Sequence, residues 1–368
     1  MSKDKELSAK QYPLLSDYFN DFVGFLETNK EFFRFEINEF SYIIDFVDDF
    51  ISGIKEDFKL EGDALVKEQE HPLTQNNIEE LAKRVFEGNI QFVRNKESIG
   101  LSKTEYIKEK YLVEINKRVL ADKELYWLTE EQKKTISEIA CELFDKKFDR
   151  NTYVGFAIAG YGDKEVFPSL VHAHLCGFID GKVRYYIQQR ATIDERHSAS
   201  VVPLAQTDVM ETFLFGINDQ FLEYLANEIP TQISEKIKST DNCLYAEGKK
   251  DEVLKQLIGI TGNVLQHVQE TAVKNYMGPI FESVSTLPIE ELGLLAESMI
   301  NITSIRRKVA LDRYIGTVGG PIDVSIITKG DGFIWLKRKH YFEKKYNPQF
   351  FYSHYRETVL EEGHEDER

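Results

Sequence analysis

Strand-forming pattern in this chain is confined to two short stretches, residues 152–190 and 321–339, and that confinement limits the fold more than any other feature of its 368 residues. About five strands can be read, none of them before residue 152. In the first stretch, Val154 to Ala159 is an apolar run that ends in Gly160 and Gly162, and Leu170 to Ile179 is apolar on both faces. Asp180-Gly181 is a two-residue hairpin signal leading into Val183 to Ile187. In the second stretch, Ile322, Val324 and Ile326 share one face by the period of two, and Phe333 and Trp335 alternate in the returning run. Lys329-Gly-Asp-Gly332 supplies turn residues that accept positive φ. Runs this short cannot bury their faces alone, so the two stretches are expected to pack into one β core across the mostly helical residues between them.

The first 150 residues are helical in pattern. Phe40, Ile43, Val47, Phe50, Ile51 and Ile54 recur at helical spacing, and Glu39, Asp45, Asp48, Asp49 and Glu56 mark the opposite, solvated face. Asn77-Ile-Glu-Glu80 starts another helix, while Ser102-Lys-Thr-Glu105 and Thr129-Glu-Glu-Gln132 read as capping boxes for two more. Helices return at about 206–228, 250–277 and 288–313. The last carries Glu290 and Glu291 in its first turn, Leu292, Leu295, Met299 and Ile302 on one face, and Arg306, Arg307 and Lys308 at its end, as the helix dipole favours. The expected division is a helical region at 1–150, a β-containing core at 151–345 with a helical insertion at about 206–286, and an extension at 346–368. Its acidic tail, from Glu361 to Arg368, has a composition that does not support a packed core.

The formal net charge of −16 repels phosphate backbones and anionic lipid surfaces, so nucleic acid and membrane are not expected partners. Cys141, Cys176 and Cys243 stand far apart without a CxxC, which reads as reduced thiols in a cytoplasmic protein. No apolar run approaches the roughly 18 residues that a membrane span needs.

The segment Thr317-Val-Gly-Gly-Pro-Ile-Asp-Val-Ser-Ile-Ile-Thr-Lys-Gly-Asp-Gly-Phe-Ile-Trp-Leu-Lys-Arg-Lys-His340 follows a long helix through a Gly-Gly hinge into a hairpin. In that order it resembles the closing part of proteasome β-type subunits, of the N-terminal-nucleophile (Ntn) hydrolase class. The strand, Ala-Gly-aromatic turn and strand within 152–190 resemble the middle of the same fold. The resemblance implies an α+β protein holding the second half of an αββα sandwich, with amide-bond hydrolysis as the family chemistry and no cofactor. In that family the nucleophile opens the mature chain and its free α-amine acts as base. It also implies that Asp312 and Thr317 support the nucleophile beside the hinge Gly319 and Gly320, where substrate lies. The family's N-terminal strands match nothing here, so the expectation is an incomplete hydrolase, completed by a missing N-terminal segment or partner chain, or a homo-oligomer. A non-catalytic assembly protein on the same fold is the alternative.

Other constellations have plainer readings. Loss of Met1 would expose Ser2 as a nucleophile, but Lys3 to Lys10 is too polar for a buried first strand. His172 and His174 share a strand face at metal-compatible spacing, yet Leu170 and Cys176 share it too and no carboxylate stands at fixed spacing, so no metal is expected. Asp194, Glu195, His197 and Ser198 hold the ingredients of a Ser-His-acid set within one loop, too close in sequence to converge as a triad.

Overall fold

The computed structural model describes residues 11–29, 35–69, 71–148, 153–204, 207–239, 249–309, 320–339, 342 and 344–349. The architecture is α+β, and the chain divides into two compact units, Met1–Thr192 and Ile193–Arg368. The strands of 152–190 therefore group with the N-terminal helices, and the two stretches of strand form two separate sheets, not one β core. The physical reason is local cover: each sheet has a helix of its own unit against one face.

In the first unit, α1 (Leu15–Thr28), α2 (Phe35–Gln69), α3 (Gln75–Asn95), α4 (Thr104–Ala121) and α5 (Glu130–Leu143) precede β1 (Val154–Gly160), β2 (Ser169–Ile179) and β3 (Lys182–Thr192). The stripe Ile43, Val47, Phe50, Ile51 and Ile54 of α2 is buried against Leu81 and Val85 of α3, Ile107 and Ile115 of α4, and Ile136 and Ile139 of α5. Each such side chain contributes about 1.5–3 kcal/mol on burial. At the start of the stripe the expected faces exchange: Phe40 is 44% exposed and Glu39 only 1%. Glu39 stands four residues before Ile43, so it prolongs the buried row, and its carboxylate is kept ionised there by the hydrogen bonds described below.

Helix starts follow side-chain capping where the geometry allows it. Thr129 accepts from the Gln132 amide at 3.2 Å while Gln132 accepts from the Thr129 amide at 2.9 Å at the start of α5, and Thr74 and Asn77 do the same at the start of α3. Ser102 does not cap α4. It sits at φ 55° and donates its amide to Asp145 Oδ1, so that helix begins at Thr104 with no side-chain cap.

β1, β2 and β3 form one antiparallel sheet in chain order. The β2–β3 turn is the expected Asp180-Gly181 pair, with φ 50° and 70°, the left-handed pair that a two-residue hairpin requires. Val171, Ala173 and Val183 pack against Phe19 and Val23 of α1, and Phe22 stacks on Phe156 with ring centres 4.1 Å apart. After β1 the chain passes so close to the approach to α1 that a Cβ on Gly162 would stand 2.3 Å from the Pro13 carbonyl oxygen.

The second unit contains α6 (Thr207–Phe215), α7 (Asp219–Ser239), α8 (Lys250–Ala272), α9 (Gly278–Thr286), α10 (Ile289–Val309) and the hairpin β4 (Val324–Thr328) with β5 (Gly332–Lys337). The helix expected at 206–228 is two, α6 and α7, parted at Gly216 with φ 71°, and α7 continues to Ser239 although Pro230 inside it removes one backbone hydrogen bond. α10 buries Met299 and Thr303, whereas Ile302 is 40% exposed, and Arg307 reaches Asp208 of α6 at 2.5 Å. No helix among the described residues is long and apolar enough to cross a membrane.

Candidate functional site

Of the residues singled out in the sequence, Ser2, Cys243, Asp312, Thr317, Gly319 and the acidic tail lie outside the described residues. Gly320 is described: it is exposed, at φ 90°, just before β4, in a conformation that suits glycine.

Three polar constellations occupy the first unit. Glu39 gathers four donors. Its Oε1 accepts from the Tyr111 hydroxyl at 2.5 Å, the Tyr106 hydroxyl at 2.7 Å and the Lys110 ammonium at 3.0 Å, and its Oε2 accepts from the Asp180 amide at 2.7 Å. Burial alone would raise the pKa of Glu39, but these bonds, Tyr111 first, outweigh it and hold the carboxyl below the usual glutamate range. Bonding to Tyr106 and Tyr111 pushes Lys110 up, and burial pushes the Tyr111 phenol up. The group is thus locked in one charge state around neutral pH. It joins α2 and α4 to the β2–β3 turn, which Lys103 also grips through Asp180 Oδ2 at 2.6 Å.

Arg184 of β3 is wholly buried and forms no ion pair among the described residues. Its guanidinium donates to the carbonyls of Phe144, Lys146 and Phe148 at 2.7–2.9 Å and to the Tyr42 hydroxyl at 3.0 Å, and it lies 5.0 Å from the Phe46 ring centre. A fixed cation just past the C-terminus of α5 satisfies the carbonyl of its C-cap Phe144 and those of Lys146 and Phe148 in the chain that follows, and its charge complements the helix dipole.

His172 and His174 are both buried on β2. Tyr153 stacks on His174 at 3.6 Å, His174 Nδ1 lies 2.9 Å from the Tyr186 hydroxyl, and the two imidazole centres are 5.4 Å apart. Burial, then the neighbouring His174, lowers the pKa of His172 and favours its neutral form. Among the described residues no three His, Cys, Asp or Glu side chains converge on a metal position. Asp194 accepts the amides of Arg196 and His197 and lies 3.1 Å from the His197 ring, an exposed turn with no route to a triad. Burial pushes the Cys141 thiol up to about 12, far from nucleophilic range.

The hairpin of the second unit is apolar on both faces. Toward α10, Val324 is buried, and a Cβ on Gly293 of α10 would stand 2.7 Å from Leu336 Cδ1 and 3.3 Å from Val324 Cγ1. On the other face Ile327, Phe333 and Trp335 are 39%, 55% and 45% exposed. Phe333 meets Trp335 edge to face at 5.0 Å, and the Arg338 guanidinium lies 5.4 Å from the Trp335 ring centre.

No family model, no curated protein and no solved structure matches this chain.

Chemically, then, the buried ionisable groups Glu39 and Arg184 are consumed by structural bonds, and the hairpin carries one of the exposed apolar surfaces among the described residues. The sequence reading missed both buried groups. Arg184 interrupts the apolar run of β3, and Glu39 sits in helical phase with the buried stripe; each was a visible signal of a buried charge.

Proposed function

We propose that this chain is a relative of the proteasome-type Ntn hydrolases that supplies one part of an αββα sandwich, and that the amide-cleaving nucleophile rides on strands which pack over the open hairpin face. The observation that carries this reading is that face. A hairpin that seats Val324 and the edge of Leu336 on α10 and leaves Ile327, Phe333 and Trp335 39–55% exposed on the other face has the chemistry of a sheet whose second layer sits about 10 Å away, although Ile334 and Leu336 on the α10 side are 42% and 44% exposed as well. In this reading Asp312 and Thr317 support the nucleophile and its amine, Gly319 and Gly320 shape the substrate side, and the chemistry needs no cofactor. A cytoplasmic setting suits the free thiols of Cys141 and Cys176.

A second reading, a non-catalytic assembly protein using the same hairpin for oligomer contacts, draws on the saturation of Glu39 and Arg184, which leaves neither as an acid or base. One set of experiments separates the two. The chain is incubated with fluorogenic peptides and an electrophilic probe directed at N-terminal nucleophiles, then sedimented at low micromolar concentration. The expected result is no hydrolysis, no labelling, and a dimer or larger species that Trp335→Ser weakens. Labelling at Ser2, or a monomer indifferent to Trp335→Ser, overturns the proposal. Repeating the probe reaction on complexes of the chain with co-purified partner chains then decides: probe labelling of a partner supports the hydrolase, and association without labelling supports the assembly protein.

A further inference from the structure

The order β1-β2-β3 leaves β3 as an open edge of the first unit's sheet. The two-residue turn makes Ile179 and Lys182 the closing hydrogen-bonded pair, so the next residue of β3, Val183, turns its backbone groups away from β2. The structure displays this phase directly, because the Val183 amide donates outward to Glu27 Oε1 at 3.1 Å. Alternation then turns the N–H and C=O of Tyr185 and Ile187 outward as well, while Arg184 and Tyr186 bond to β2. Among the described residues, Glu27 plugs the first of these outward positions and no side chain bonds the amides of Tyr185 or Ile187.

The exposed edge lies in a cleft of about 550 Å³ lined by Val183, Tyr185 and Ile187 on one wall and by residues 97–101, Lys103 and Lys147 on the other. Five residues of strand measure about 17 Å, and a row of outward amides and carbonyls repeating every second residue is matched by another extended chain. The charges select further. Lys182 is paired with Glu27 and Lys103 with Asp180, whereas Lys147, 5.6 Å from the Tyr186 ring centre, makes no ion pair among the described residues. Glu97, the remaining carboxylate lining the cleft, is exposed, and its backbone carbonyl accepts from the Lys147 amide at 2.8 Å.

We infer that β3 accepts a fourth strand from a partner polypeptide: an extended segment bound through the backbone of Tyr185 and Ile187 and carrying a carboxylate against Lys147. The edge serves this purpose whether or not the chain cleaves amides.

The test uses the full chain and three fluorescein-labelled hexapeptides: Thr-Val-Glu-Val-Thr-Val, its Lys-for-Glu counterpart, and the Glu peptide with alternate amides N-methylated. In the free protein the Tyr185 and Ile187 amides exchange with solvent faster than those of Arg184 and Tyr186, and the Glu peptide slows them. By fluorescence anisotropy the N-methylated peptide binds at least about tenfold more weakly, and Ile187→Pro, which removes an outward N–H and spares the β2 ladder, weakens the Glu peptide likewise. Lys147→Glu reverses the preference between the Glu and Lys peptides. Tyr185 and Ile187 amides already protected in the free protein, equal binding of the N-methylated peptide, or no binding at millimolar peptide overturns the added strand. Equal binding of the Glu and Lys peptides overturns the carboxylate contact. The exchange pattern and the N-methylated control are read on the unmodified protein, so they decide even if Ile187→Pro unfolds.

Discussion

Removing the carboxylate of Glu39 is the sharpest perturbation of the first unit. In Glu39→Ala the Lys110 ammonium, 49% exposed, and the Tyr106 hydroxyl turn to water, but the buried Tyr111 hydroxyl has little access to it and the part-buried Asp180 amide loses its acceptor. Two donors left unsatisfied at about 1–3 kcal/mol each, within a broken buried ion pair, give an expected loss of about 3–5 kcal/mol. Glu39→Gln keeps an acceptor for Tyr111 but sets an amide N–H against that of Asp180, so it loses roughly half as much. The sign with pH follows from the depressed pKa. Between the folded value and the unfolded value near 4.5, the unfolded chain binds more protons, so stability rises with pH, is fully present above 4.5 and is lost as pH falls through the folded value. The assay is urea unfolding followed through Trp127 in a Trp335→Phe background, since each unit holds one of the two tryptophans and the units need not unfold together. A Glu39→Ala loss under about 1 kcal/mol, or a gap between wild type and Glu39→Gln that stays constant from pH 6 to pH 3, would refute this account of the cluster.

Three further outcomes follow from the same packing. Arg184→Met leaves the Phe144, Lys146 and Phe148 carbonyls without their donor and is expected to cost about 3–5 kcal/mol in the same urea assay; a neutral result would mean that water replaces the guanidinium. Gly181→Ala places a Cβ at φ 70° and should cost about 1–2 kcal/mol, while Gly181→Asn, which tolerates that region, should cost less; equal losses would point to packing and not backbone strain. Because the folded chain holds His172 neutral below the ordinary histidine value of 6.5 and the unfolded chain does not, stability should fall as pH drops from about 7 toward 5. His172→Asn should flatten that slope, and an unchanged slope assigns it to other groups.

Much of the local structure was legible because its causes lie within a few residues. The Asp180-Gly181 turn, the Thr129 capping box, the strands of 152–190 and the buried row Ile43 to Ile54 each depend on a spacing of two to four positions. Ser102 shows where such reasoning stops. Its box was well spelled, but Asp145, 43 residues away, takes its amide and turns the backbone to φ 55°.

By itself, then, the sequence determined that the N-terminal part is helical, where the Asp180-Gly181 turn falls, and that the strands among the described residues lie in two stretches, but not the break of the helix expected at 206–228. Only the tertiary structure decided that those stretches make two sheets, that Glu39 is buried while Phe40 is exposed, and that Arg184 closes the end of α5. The reason is that a charge enters a core only if partners remote in sequence converge on it. Tyr106, Tyr111 and Asp180, up to 141 residues away, provide the bonds that offset the desolvation of Glu39, and no local period encodes their arrival.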